Sequence, residues 1–216
     1  VDLLYIRSNK DAKNFQILPA PEGDPDTKNW KMFLPHRADV LVEGIDLFRN
    51  YAVAREKSEA LNHLRVLDFE TGEWYSIPFS EPVYSAFPGA NPDYSSSVYR
   101  YSYRSLITPS SVFDFDMEGR SATLLKQQEV LGGYDPSQYL SERLWATARD
   151  GMKVPVSIVY KKGFARDGKG PLLLYAYGSY GFGMPSTFSS SLLSLLESGL
   201  AFAIAHSRGR DEMGEH

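Results

Sequence analysis

From Leu3 to about Gln128, apolar and polar positions alternate in short runs broken by turn residues, the period-two pattern of half-buried strands. The runs Val40-Leu41-Val42-Glu43-Gly44-Ile45, Tyr51–Glu56, His63–Leu67 and Tyr75–Ile77 are rich in β-branched and aromatic residues. The segment Leu67-Asp68-Phe69-Glu70-Thr71-Gly72-Glu73 is echoed by Phe113-Asp114-Phe115-Asp116-Met117-Glu118-Gly119-Arg120, 46 positions later counting from Asp68 to Asp114. Each copy reads as a strand, an acidic Gly-containing turn and another strand. Four strands per repeat are predicted twice, at 40–48, 51–56, 62–68 and 74–78, then at 82–87, 98–104, 111–116 and 121–127. Remnants of a further set stand at Leu3–Arg7, Phe15–Leu18 and Trp30–Leu34. Four-stranded units at a period of about 40–50 residues point to a β-propeller. A single β-sandwich with a chance turn match is the alternative. Propellers close with about 4–8 blades, and about two and a half blades leave strand edges and apolar faces uncovered. The expectation is that these residues are an internal piece of a longer polypeptide.

After Gln127–Pro136 the pattern changes, with Gly132-Gly133 and Asp135-Pro136 punctuating a linker. Arg143–Ala148 and Val154–Tyr160 flank Asp150-Gly151, a hairpin signal. The chain then reads strand, helix, strand. Leu172–Tyr177 is apolar at every position, as a parallel strand buried on both faces should be. Phe188, Leu192, Leu195 and Leu196 fall at helical spacing, with Ser189–Ser191 as capping candidates and Gly199 as terminator. Leu200–Ala205 is a second buried strand. The fold class is therefore mixed: residues 1–128 form the propeller portion, 129–140 a linker, and 141–216 open an α/β sheet.

Composition narrows the function classes. With 23 Lys and Arg against 27 Asp and Glu, the net charge of −4 gives no global basic field for nucleic acid or an anionic membrane. No apolar run approaches the ~20 residues of a membrane-spanning helix. The absence of cysteine removes disulfides and thiolate chemistry and suits a reducing cytoplasm. No metal or cofactor is expected, because no His and carboxylate positions share a ligand spacing.

In open parallel sheets, ligands bind beyond the carboxyl ends of the strands. The loop Tyr177-Gly178-Ser179-Tyr180-Gly181-Phe182-Gly183 leaves the first parallel strand at that edge. A phenol aimed into the crevice can stabilise an oxyanion; the plainer reading is a Gly-rich turn with structural tyrosines. A G-x-S-x-G elbow is absent, since one residue separates Ser179 from Gly181. Of His36, His63, His206 and His216, only His206, ending the last strand, stands near the crevice, and a base there needs partners that spacing cannot supply. Arg208-Gly209-Arg210-Asp211-Glu212 is read either as a loop with Arg208 paired to a carboxylate or as a solvated charge run.

The run SERLWATARDGMKVPVSIVYKKG (141–163), then PLLLYAYGSYG (171–181), then FSSSLLSLLESGLAFAIAHSRG (188–209) resembles the prolyl oligopeptidase family of serine peptidases, most of all its oligopeptidase B branch. Upstream, YIRSNKDAKNF (5–15), ITPSSVFDFDM (107–117) and LLKQQEVLGGYDP (124–136) resemble the same branch. The resemblance implies the last blades of a seven-bladed propeller followed by the first strands and helix of an α/β-hydrolase domain. It implies cleavage of short peptides after Arg or Lys by a Ser, Asp and His triad lying outside these residues, so that the 216 residues alone are inactive. By motif position it gives Tyr177 the role of oxyanion donor and Tyr180 a place in the substrate pocket. The partners it implies are short peptide substrates and the rest of the same polypeptide. One departure is Arg210, where the family often has a further glycine. The competing classes are a non-catalytic propeller interaction module, separated by whether a G-x-S-x-G elbow lies downstream, and an esterase, separated by ester against arginyl-peptide turnover.

Overall fold

The computed structural model describes residues 2–178 and 184–206. A two-stranded antiparallel ribbon, β1 (Leu3–Ser8) and β2 (Gln16–Pro21), opens the chain. A first four-stranded meander follows in sheet order β3 (Leu41–Leu47), β4 (Tyr51–Ser58), β5 (Leu61–Asp68) and β6 (Trp74–Ser76). The second comprises β7 (Tyr84–Pro88), β8 (Val98–Ser105), β9 (Ser111–Asp116) and β10 (Ser121–Gln127), again with sequential neighbours paired antiparallel. Both predicted four-strand sets are present.

The strand expected at Trp30–Leu34 is absent. A single 3-10 turn occupies Thr27–Asn29, and pairing shrinks to an isolated Ile17↔Leu34 bridge. The cause lies in β2. Ile17 exchanges both backbone bonds with Leu34, and the Pro19 carbonyl accepts from Lys31, so odd positions of β2 face this segment. Pro19 and Pro21 have no N–H to give on that side, and a ladder cannot be continued.

The sheets stack face against face. Phe48, Tyr51, Val53, Leu64, Val66 and Ile77 of the first meander share one core with Tyr84, Ala86, Tyr99, Tyr101, Tyr103, Phe115 and Met117 of the second. Ile17 and Leu34 pack on Val42 and Ala54 on the other side of the first meander. Polar ties reinforce the stack. The Tyr99 hydroxyl donates to Asp46 Oδ2 at 2.7 Å, and Tyr75 donates to the Met117 carbonyl at 2.5 Å.

Beyond a linker turn, β11 (Tyr139–Thr147) and β12 (Lys153–Lys161) form the expected hairpin, with Gly151 at φ +86° in its turn. Then come β13 (Leu172–Ala176), α1 (Ser190–Glu197) and β14 (Ala201–Ala205). The sheet order is β11-β12-β14-β13, with β13 parallel to β14 and β12 antiparallel to it. Gly199 ends α1 at φ +89°, the left-handed backbone that only glycine adopts freely. Ser189 is the N-cap by position, but its hydroxyl is hydrogen-bonded to that of Ser191 rather than to the helix backbone.

One expectation is overturned here. β13 is not buried: Leu172–Ala176 are exposed throughout, with Leu174 at 57%. It is the outermost strand, and among the described residues nothing lies across its outer edge. By contrast, the inner strands and α1 build a shared core with the second meander. Val83, Leu106 and Ile107 pack with Tyr139, Val159, Leu192, Leu196 and Ile204. Tyr134, in the linker, donates to the Ile107 carbonyl at 2.6 Å and stacks on Tyr139. The C-terminal sheet is thus seated on the neighbouring meander.

Candidate active site

The parallel pair sets the geometry of the site. Ala176 pairs with Ala205, so the next residue on each strand, Tyr177 and His206, stand side by side where the strands end. Tyr177 is 39% exposed, whereas His206 is buried. The sequence-predicted oxyanion donor therefore sits at the carboxyl edge of the sheet, where a helical crossover leaves space for a ligand. Tyr180 lies outside the described residues, as do Ser179, the loop glycines Gly181 and Gly183, and the Arg208–Glu212 charge cluster with Arg210.

Behind that edge lies a buried polar group on the inner strands. Ser157, in the middle of β12, pairs with Arg143 on β11 and Ile204 on β14. Its hydroxyl is hydrogen-bonded at 2.7 Å to His206 Nε2 and accepts from Arg143 Nη1 at 3.3 Å. The His206 backbone N–H donates to the Pro155 carbonyl at 2.9 Å, extending the β12–β14 ladder by one position. A Ser–His contact of this length has the distance of an activated nucleophile. Burial decides against that role: Ser157 is 0% and His206 2% exposed, so no substrate carbonyl can reach the hydroxyl. The arrangement can fix the strand ends; it cannot attack.

Ser157 escaped the sequence reading. The available signal was a lone serine in the apolar run Val154–Tyr160, on the face that carries Val159. The partnership itself joins residues 49 positions apart, which no spacing rule reaches.

Two further polar clusters lie on the meanders. Glu56 is buried yet ion-paired with both Arg37 and Arg65, the latter at 3.1 Å. Across the same strand pair, His63 faces Glu56 and sits 3.4 Å through Nδ1 from the Tyr84 hydroxyl. Burial holds His63 below the ordinary imidazole range, partly opposed by the Glu56 charge. Burial likewise pushes the Tyr84 phenol up to about 12, against a smaller opposing pull from Arg143. A neutral imidazole accepting from Tyr84 satisfies both groups. Glu81 accepts from Tyr103 at 2.9 Å and from Thr108 at 2.6 Å. The Glu56 and Glu81 carboxylates both find their partners within the fold, which is structural work. Among the described residues, no group of three or more His, Asp or Glu is placed to hold a metal ion, and no helix is long and apolar enough to cross a membrane.

Comparison with known proteins covers both parts of the chain. Dipeptidyl aminopeptidase BI of Pseudoxanthomonas mexicana is 45% identical over 215 residues, which is 99% of this chain and 30% of that protein. Protease 2 of Moraxella lacunata is 34% identical, again over 99% of this chain and 30% of its own length. Among solved structures, oligopeptidase B from Leishmania major superposes with a TM-score of 0.87 at 33% identity, over 98% of this chain and 31% of that one. Oligopeptidase B from Trypanosoma brucei, in a closed form with covalently bound antipain, gives 0.88 at 30% identity, over 99% of this chain and 31% of that one. The chain thus spans about 30% of the length of the curated relatives it matches. The family described as prolyl oligopeptidase, N-terminal beta-propeller domain, matches residues 1–128, the ribbon and both meanders together. With more than half its length so matched, the chain belongs to the prolyl oligopeptidase family through that family's N-terminal β-propeller domain.

Proposed function

We propose that these residues are the junction of a serine oligopeptidase, in which the last blades of a seven-bladed propeller (1–128) pass through a linker (129–140) into the opening strands and helix of an α/β-hydrolase peptidase domain (141–216). The observation that carries this reading is the continuity of the similarity. Proteins named as peptidases match the C-terminal sheet as well as the blades, over 99% of the chain. The parallel β13–α1–β14 unit, with an apolar outer edge open to a further strand, supports the hydrolase part.

In this reading the serine, acid and base come from polypeptide outside the 216 residues, which by themselves hydrolyse nothing. Serine attacks the peptide carbonyl, and histidine takes its proton and returns it to the leaving amine. The Tyr177 hydroxyl, at the carboxyl edge, and the amide following the nucleophile donate to the oxyanion of the tetrahedral intermediate. Tyr180 lines the pocket for the residue before the scissile bond. The substrates are short peptides cut after Arg or Lys, the preference that the resemblance to the oligopeptidase B branch implies. The cysteine-free sequence is compatible with work in a reducing cytoplasm.

A second reading has its own support. The 45% identical relative is named a dipeptidyl aminopeptidase, which favours release of dipeptides from a free amino terminus. One assay separates the two: the complete polypeptide is given an amino-blocked arginyl fluorogenic peptide and, in parallel, a dipeptidyl substrate with a free amine. In either case Tyr177→Phe is expected to lower turnover by about 10²–10³ with little change in KM, the scale for one lost oxyanion donor. Unchanged turnover removes Tyr177 from the mechanism.

A further inference from the structure

Three observations meet at the end of the C-terminal sheet. The Ser157 hydroxyl and His206 Nε2 are 2.7 Å apart and both residues are buried, so the pair has no access to substrate. Arg143 braces the serine from the third strand. His206 is the immediate lateral neighbour of Tyr177, because Ala176 pairs with Ala205 in the parallel ladder. Side chains alternate faces along a strand. Ser157 pairs with Ile204, so His206, two residues on, shares the face of Ser157 and Arg143. Tyr175 pairs with Ile204 as well, and continuation of the pleat carries Tyr177 to that same face. A hydrogen-bonded row therefore crosses β11, β12 and β14 and ends beside the phenol on β13.

We propose that Ser157 and His206 are positioning residues for Tyr177: their buried hydrogen bond, braced by Arg143, locks the end of β14 and so sets where the neighbouring phenol stands. The inference rests on the reading of Tyr177 as oxyanion donor. Physically, a sheet held by backbone bonds alone frays at its strand ends. A side-chain hydrogen bond between two buried groups resists that fraying, because the dry interior offers no water to replace it. An oxyanion donor works only when its hydroxyl is preorganised before charge develops. A rigid β14 end beside Tyr177 supplies that.

The test uses the complete polypeptide and the arginyl or dipeptidyl substrate that it turns over, with Ser157→Ala and Ser157→Thr made alone and in the Tyr177→Phe background. Ser157→Ala is expected to lower kcat by about tenfold to a hundredfold at unchanged KM, the scale for a catalytic group displaced by ~1 Å. Ser157→Thr, which keeps the hydroxyl, is expected to retain most of the turnover. In the Tyr177→Phe background, Ser157→Ala is expected to cost nothing further, since the group it positions is gone. An unchanged kcat for Ser157→Ala, or an equal loss in both backgrounds, overturns the inference, because a merely structural role acts regardless of Tyr177. Should Ser157→Ala not fold, His206→Gln is carried through the same cycle with the same expected coupling. If Tyr177→Phe itself leaves turnover unchanged, the underlying reading fails and takes this inference with it. If Tyr177→Phe is impaired and Ser157→Ala is not, the inference alone fails.

Discussion

Truncating Leu196 to alanine tests whether the second blade and the C-terminal sheet share one core. Leu196 is 1% exposed and lies in the cluster that joins Val83, Leu106 and Ile107 of the blade to Leu192, Val159 and Ile204. The change deletes three carbons, worth about 2.4 kcal/mol at ~0.8 kcal/mol per buried methylene. Residues from two sheets and a helix line the space, so it closes poorly, and the cavity left behind raises the cost to about 3–5 kcal/mol. Leu195 provides an internal control. One position earlier on the same helix, it is 36% exposed, and Leu195→Ala is expected to cost about 1 kcal/mol or less. Urea unfolding of the complete polypeptide measures the difference, and hydrogen exchange locates it. A ~3 kcal/mol loss corresponds to more than 10²-fold in an equilibrium constant. Exchange is expected to accelerate in the β12 segment 153–161 and in the blade segment 98–107 together. Acceleration confined to the C-terminal segments, or equal costs at Leu195 and Leu196, refutes the shared core.

Two further outcomes follow from the blade packing. Tyr99 is fully buried and donates to the Asp46 carboxylate of the neighbouring blade at 2.7 Å; Tyr99→Phe is expected to destabilise by about 1.5–3 kcal/mol, the scale for a hydrogen bond to a charged group, read as a lowered Tm. His63 titrates lower in the fold than its ordinary value of 6.5 because burial disfavours its charge. The unfolded chain therefore binds the proton more readily, so this contribution to stability is complete above pH 6.5 and is lost as pH falls through and below it. Replacing His63 by phenylalanine is expected to flatten that part of the stability–pH curve; an unaltered slope removes His63 as its source.

The blades were legible because each half-buried strand writes its period into the sequence and the two acidic Gly-containing turns repeat. The exceptions have local causes. The β4–β5 hairpin turns on Glu59 and Ala60 at φ +50° and +60°, a left-handed pair without the Asn-Gly or Asp-Gly signal that such turns usually carry. That end of β4 therefore ran two residues beyond the expected 51–56. The missing Trp30–Leu34 strand was decided by which way two prolines on another strand face, a matter of register rather than of its own composition. For β13, apolar positions on both faces announced a strand made for burial, but pattern alone does not say what covers it. At the site, Tyr177 could be placed by the strand–helix–strand grammar, since a crossover brings one strand's end beside another's. The Ser157–His206 contact could not, because it depends on a diagonal pairing between strands far apart in the chain.

The bare outer edge of β13 has a practical consequence. Along Leu172–Tyr175 every second residue turns its backbone groups away from β14, beside exposed apolar side chains, and Pro171 is the nearest residue unable to donate. An uncovered strand of this kind templates pairing with another copy. Prepared in isolation at high concentration, these 216 residues are expected to self-associate through added strands, and a charged substitution such as Leu173→Lys is expected to restore the monomer.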